Sequence, residues 1–255
     1  MKLTSLFITG TDTGVGKTMV TALLALHLQA HGINVGVMKP FASGCRRENN
    51  DLVSDDAEWL KDVTGVDDDL ELINPVRFEE PLAPLVAARR AGVAGENTIT
   101  ECLNAYQELQ RRHDCVLVEG VGGLMVPLQE KMGGEAGSRC FLTCVDFVEM
   151  LALPIVVVAR RTLGTINHTM LTCCTPLNAP AHFAGLVFCD ATPVEDDDIA
   201  AQSSPAIIAE MTGLPIWGQV PYLENMLVAR LRAISERCLA EAFVSWMQNV
   251  SRQTS

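Results

Sequence analysis

LTSLFITGTDTGVGKT, residues 3–18, runs from an apolar segment into a glycine-rich turn and ends on Gly-Lys-Thr. The common phosphate-binding loop reads G-x-x-x-x-G-K-[ST] after a strand and before a helix. Counted back from Gly16-Lys17-Thr18, its first glycine belongs at position 11, where this chain has Thr11; the glycine stands at Gly10. The second half is intact. Gly14 and Gly16 let the backbone turn its N–H groups inward, and a helix N-terminus behind them favours phosphate oxygens. Lys17 adds charge for the β- and γ-phosphates, and Thr18 offers a hydroxyl to Mg2+. An ordinary glycine turn carrying a surface lysine is the bland alternative, and a G-K-T after a strand argues against it.

Working outward, apolar runs of strand length recur at 3–9, 33–39, 115–119, 154–159, 183–188 and 215–220. Helical patterns fill 17–31, 98–112 and 224–248, the last with Leu227, Leu231, Ile234 and Cys238 on one stripe. Thr98 with Glu101 three residues on predicts a capping box. Strand–helix alternation predicts a doubly wound, mostly parallel α/β sheet of the phosphate-loop NTPase type, with helices on both faces and ligands beyond the carboxyl ends of the strands. One domain over 1–250 is expected, with a polar surface loop at 129–139 and a frayed tail at 251–255.

Composition narrows the function classes. The 255 residues are 48% hydrophobic, with a formal net charge of −12 and no basic run, so a nucleic-acid-binding surface is not expected. No apolar run reaches the ~18 residues of a membrane span, and the N-terminal apolar stretch is too short for a signal peptide. The nine cysteines lack a repeated metal spacing and read as reduced packing thiols in a cytoplasmic setting.

Four further segments are candidates, three of them at strand ends. MKPFASG (38–44) sets Lys39 just past a buried strand, with Ser43 and Gly44 after it; an ordinary strand-end lysine is an equal reading until the phosphate loop is counted. VLVEGVGG (116–123) ends an apolar strand on Glu119, suited to a Mg2+ acid, and follows it with Gly120, Gly122 and Gly123. SDDAEWL (54–60) reads as a helix opening with Ser54 as N-cap, or as the source of a further Mg2+ carboxylate. LGTINHT (163–169) places Gly164 before a helix whose free N–H groups suit an anion; His168 is expected packed or solvent-facing. The acidic clusters 67–69 and 196–198 are expected to face solvent.

Together these segments resemble the dethiobiotin synthetase family, whose pattern G-T-D-T-x-V-G-K-T, K-P-x-x-S-G, Asp before Ala, V-E-G-x-G-G and L-G-x-I-N-H is matched in order across residues 7–169. NPVRFEEPLAPL (74–85) also resembles the family, and GLVFCDATP (185–193) and GQVPYLEN (218–225) do so more loosely. The shifted glycine is then the family's own variant loop. The resemblance implies ATP-dependent carboxylation and ring closure of 7,8-diaminononanoate with CO2, through a carbamate and a carbamic–phosphoric anhydride. It implies Lys17, Lys39 and Thr11 at the reaction centre, and Mg2+ on Thr18, Asp56 and Glu119. Asp56 is chosen over Asp55 because it directly precedes Ala57. ATP would lie along Asp12, Thr13, Gly14, Val15, Gly16, Lys17, Thr18 and Glu119, with its base near Cys189, Asp190, Pro221, Leu223 and Glu224. Substrate would meet Thr11, Ser43, Gly122 and Gly123, and, from the neighbouring subunit of a homodimer, Gly164, Thr165, Ile166 and Asn167. The family often carries Asn-Asp where this chain has Cys189-Asp190. A partitioning or regulatory ATPase, the leading alternative, usually has a lysine early in the loop, where this chain has Thr11-Asp12-Thr13. A cobyrinate diamide synthetase would need a glutaminase domain for which 255 residues leave no room, and retention of Lys17, Thr18, Lys39 and Glu119 argues against an inactive binding module.

Overall fold

A computed structural model describes residues 2–49, 51–94, 97–132 and 139–253. Six parallel strands form the central sheet: β1 Leu6–Gly10, β2 Val35–Met38, β3 Cys115–Glu119, β4 Pro154–Ala159, β5 His182–Cys189 and β6 Ile216–Val220. Their spatial order is β6-β5-β4-β1-β3-β2. All six expected strands form, with ends shifted by at most three residues.

The sheet is apolar on both sides because alternate residues of each strand feed different cores. Leu6 and Ile8 of β1, Cys115 and Leu117 of β3, and Val156 and Val158 of β4 pack under the helix Lys17–Ala30 with Leu23, Leu26, Trp217 and Phe243. Phe7, Val116, Val118, Ile155 and Val157 face the other way, toward Phe147, Tyr106 and Leu109. β1 sits between β4 and β3, and the chain leaves β1 toward β2 but β4 toward β5. The crevice beyond the carboxyl ends of β1 and β4 is therefore the place where such sheets bind ligands.

Several local expectations are corrected. The helix Thr98–Arg112 has no capping box: Asn97 is its N-cap, while the Thr98 hydroxyl and the Ile99 N–H both donate to the side-chain oxygen of Gln129, at 3.2 and 3.0 Å. A residue distant in sequence supplies the acceptor that the cap would have provided. The stretch 224–248 is two helices, Val228–Cys238 and Glu241–Gln253. The Asn225 side chain accepts the Leu227 N–H at 2.9 Å, an Asx turn that delays the first helix. At the break, Leu239 bridges Gly218 and the Ala240 N–H donates to the Trp217 carbonyl at 2.7 Å, so the edge strand β6 takes backbone partners there. The expected loop at 129–139 is instead flanked by an antiparallel pair, Pro127–Met132 with Arg139–Thr143; residues 133–138 lie outside the described residues. The last helix runs through Gln253, and the rest of the expected tail, 254–255, is also outside them. Asp68, expected in solvent, is buried against His113 and Arg112. All nine cysteines are free thiols.

Candidate active site

The phosphate loop leaves β1 at Gly10 and enters the helix Lys17–Ala30 through Gly16, whose φ of 92° lies in the left-handed region. Glycine reaches that conformation without a Cβ penalty, and a Cβ on Gly16 would also strike the Cys189 sulfur. Lys17 folds back over the loop, its Nζ donating to the Asp12 carbonyl at 3.0 Å. Burial pushes its pKa below the ordinary lysine value; Glu119 pulls it up, and neighbouring Lys39 adds to the lowering.

Two more strand ends and one helix start deliver the remaining charges. β2 and β3 pair in parallel with Met38 opposite Val118, so Lys39 and Glu119, one residue on, emerge together. Lys39 Nζ lies 2.8 Å from Glu119 Oε1 and 2.6 Å from Asp56 Oδ2. Thr18 Oγ1 donates to the same Glu119 oxygen at 2.8 Å. Burial alone would lower the Lys39 pKa, but the two carboxylates outweigh it and hold it above the ordinary value. Asp56 comes from the first turn of the helix Asp55–Thr64, whose N-cap Ser54 accepts the Ala57 N–H at 3.3 Å. The N-cap and the candidate metal acid, weighed as alternative readings of one segment, are thus compatible.

Glu119 Oε2 is buried and has no hydrogen-bond partner. Unsatisfied buried carboxylate oxygens are costly. With the Thr18 hydroxyl and the Asp56 carboxylate alongside, the donor set is all oxygen, which suits a hard cation such as Mg2+. Among the described residues no group of three His, Cys, Asp or Glu forms a metal cluster.

A cavity of about 460 Å3 gathers Thr13, Gly14, Gly16, Lys17, Thr18, Lys39, Ser43, Asp56, Glu119, Gly122, Cys189, Asp190, Pro221 and Leu223. Most of the residues singled out from sequence therefore meet in one place. Thr11, Asp12, Val15 and Thr165 line a separate hollow of about 80 Å3 beside it. Arg160 stands in that hollow and donates to the Thr13 carbonyl at 2.9 Å. Gly123, Gly164, Ile166, Asn167 and Glu224 line neither space; Gly123 packs against the phosphate-loop root, where an added Cβ would sit 3.2 Å from the Gly10 carbonyl oxygen. Gly164 is the N-cap of the helix Thr165–Cys173, and His168 on it is exposed. The cavity also takes in Met19, Phe41, Val121, Tyr222 and Met226, which sequence reading missed although each lies within a few residues of a recognised motif.

The AAA domain family model matches residues 4–228. The ATP-dependent dethiobiotin synthetase BioD of Thermodesulfovibrio yellowstonii is 39% identical over 220 residues, 86% of this chain and 89% of that protein. The protein of the same name from Bacillus thuringiensis (strain Al Hakam) is 34% identical over 251 residues, 98% of this chain and 97% of that one. Among solved structures, a ParA family ATPase from Chlorobium tepidum covers 91% of this chain and 89% of its own, at 15% identity and a TM-score of 0.47.

Proposed function

The chain belongs to the ATP-dependent dethiobiotin synthetase family, and from that premise we propose that its cavity phosphorylates the carbamate of 7,8-diaminononanoate and closes the cyclic urea. One observation carries this reading: Lys17, Thr18, Lys39 and Glu119 converge at the phosphate loop, with one Glu119 oxygen left unpartnered.

The chemistry suits the groups present. One amine of the substrate adds to CO2, giving a carbamate. A carbamate oxygen attacks the γ-phosphorus of ATP, and the bond to ADP breaks. The second amine then attacks the carbamoyl carbon, and phosphate leaves with the oxygen that carried it. Thr18, Asp56 and Glu119 would hold Mg2+, which when bound neutralises phosphate charge. Lys39, kept protonated by its carboxylate neighbours, is placed to offset negative charge on carbamate and phosphoryl group. Lys17 reaches the phosphates from the loop side, and such preorganised charge is the main catalytic resource for phosphoryl transfer. The loop N–H groups from Asp12 to Thr18 would cradle the nucleotide, Ser43 and Gly122 border the carbamate end of the cavity, and Thr11 would approach the carbamate from the adjoining hollow. Amine attack then requires positioning more than a dedicated base.

Gly164–Asn167 lie outside the cavity of their own chain. We assign them to a neighbouring copy in a homodimer, where the helix N-terminus would take the substrate carboxylate. The exposed Leu163 and Leu171 beside them would be covered in such a dimer.

Dethiobiotin formation and phosphate release, measured with Mg·ATP and bicarbonate with and without the diamine, test the proposal. Both products should require the diamine, and Lys17→Ala should lower turnover about 10²–10³-fold. Phosphate release indifferent to the diamine would point to a regulatory ATPase instead.

A further inference from the structure

The end of the cavity away from Lys17, Lys39 and Glu119 is bounded by Cys189, Asp190, Ala191, Pro221, Leu223 and Met226. Asp190 is the only charged side chain among them, and its carboxylate is committed elsewhere. Arg161, just past β4, grips it in bidentate fashion: Nε donates to Oδ1 at 3.0 Å and Nη2 donates to Oδ2. The carboxylate is 3% exposed, so its remaining lone pairs face protein and the pair is neutral as a unit.

Cys189 adds no discriminating group. Its sulfur lies against Gly16, and burial pushes the thiol up to about 12, so it stays a neutral, weak donor and acceptor. Tyr222 contributes the one hydroxyl at this end, and a hydroxyl rotor donates or accepts as its partner requires. Adenine, guanine and cytosine differ in where their edges donate and accept. Groups with a fixed donor or acceptor pattern are needed to tell them apart, and strong rejection arises only where buried polar groups would be left unpaired by the wrong ligand.

We infer that the Arg161–Asp190 clamp makes this cavity indifferent to the nucleobase, so that the protein selects a nucleoside triphosphate by its phosphates and uses purine and pyrimidine triphosphates alike. The inference rests on the proposed reading only in taking this end of the cavity to be where the base lies. Freed from Arg161, the Asp190 carboxylate becomes an acceptor-only group, which suits guanine because its N1–H and N2–H2 donate side by side.

Calorimetric binding of Mg·ATP, Mg·GTP, Mg·CTP and Mg·UTP to the wild-type chain and to Arg161→Ala tests this, with diamine-dependent turnover followed in parallel. The wild type should bind all four within about tenfold of one another. Arg161→Ala should favour GTP over ATP by about tenfold or more relative to wild type. Because these are ratios between nucleotides, partial loss of folded protein does not mimic them. A wild-type preference for one base of about 100-fold overturns the inference, whatever the turnover shows, and an unchanged ranking in Arg161→Ala overturns the role given to the clamp. Absence of diamine-dependent turnover with every nucleotide counts against the synthetase reading alone.

Discussion

Lys39 and Glu119 form a buried ion pair across neighbouring strand ends, Nζ to Oε1 2.8 Å, with the lysine 8% and the glutamate 1% exposed. Removing one partner leaves an uncompensated charge in the interior, which costs about 3–5 kcal/mol, whereas removing both costs far less. Lys39→Met should therefore be strongly destabilised in urea titrations, and Lys39→Met/Glu119→Gln should recover most of the loss. Neither variant should turn over. Equal stability of Lys39→Met and wild type would mean that the pair is not desolvated as described.

Asp56 is the most exposed member of the same cluster, with 56% of its side chain accessible. Its contribution to the fold is small, because Lys39 retains Glu119 and Ser54 still caps the helix. Asp56→Asn should leave stability within about 0.5 kcal/mol. The Mg2+ concentration for half-maximal activity should rise about tenfold or more, the usual scale for weakening a metal's carboxylate support. An unchanged Mg2+ requirement would remove Asp56 from the metal site.

His27 should give the fold an acid-sensitive limb. It is buried and packs on His31 and Phe243. Desolvation, reinforced by His31, holds its pKa below the ordinary 6.5, while Ser235, Glu236 and Glu241 act in the opposite direction. Above pH 6.5 both folded and unfolded chains carry it neutral, so its contribution is fully present there. As pH falls below 6.5 the unfolded chain binds the proton first, and stability declines until the folded pKa is passed. His27→Phe should flatten that part of the pH–stability curve; an identical slope in the variant would assign the acid limb to other groups.

Gly185 in β5 lies under the Trp217 indole, where an added Cβ would sit 2.5 Å from two ring atoms. Trp217 is itself fully buried against Phe243 and Trp246, so the ring has little room to retreat. Gly185→Ala should cost about 1–3 kcal/mol through overpacking, visible as a lowered thermal midpoint. A neutral effect would show that this corner repacks freely.

The sequence displays the features that are local. Apolar runs marked all six strands of the sheet, Gly16 marked the left-handed turn into the first helix, and Ser54 marked the cap that presents Asp56. Strand order was not legible, because it depends on pairing between segments far apart in sequence, such as Phe7 with Ile155: nothing near Lys39 announces that β2 lies against β3, and so that Lys39 meets Glu119. Long-range partners also overrode local patterns. Gln129 displaced the capping box of Thr98 and Glu101, and the carbonyl of Trp217 took the N–H of Ala240 where a helix was expected to continue. Arg161 carried no motif; only the fold places it on Asp190.

We propose that the carbamate oxygen, not water, attacks the γ-phosphate. The most direct test is turnover with freshly dissolved 18O-labelled CO2, Mg·ATP and 7,8-diaminononanoate, followed by mass analysis of the phosphate. The mechanism moves one carbamate oxygen onto phosphorus and leaves the other in the urea, so phosphate released in the presence of the diamine should carry one label atom. Unlabelled phosphate accompanying dethiobiotin formation would contradict it.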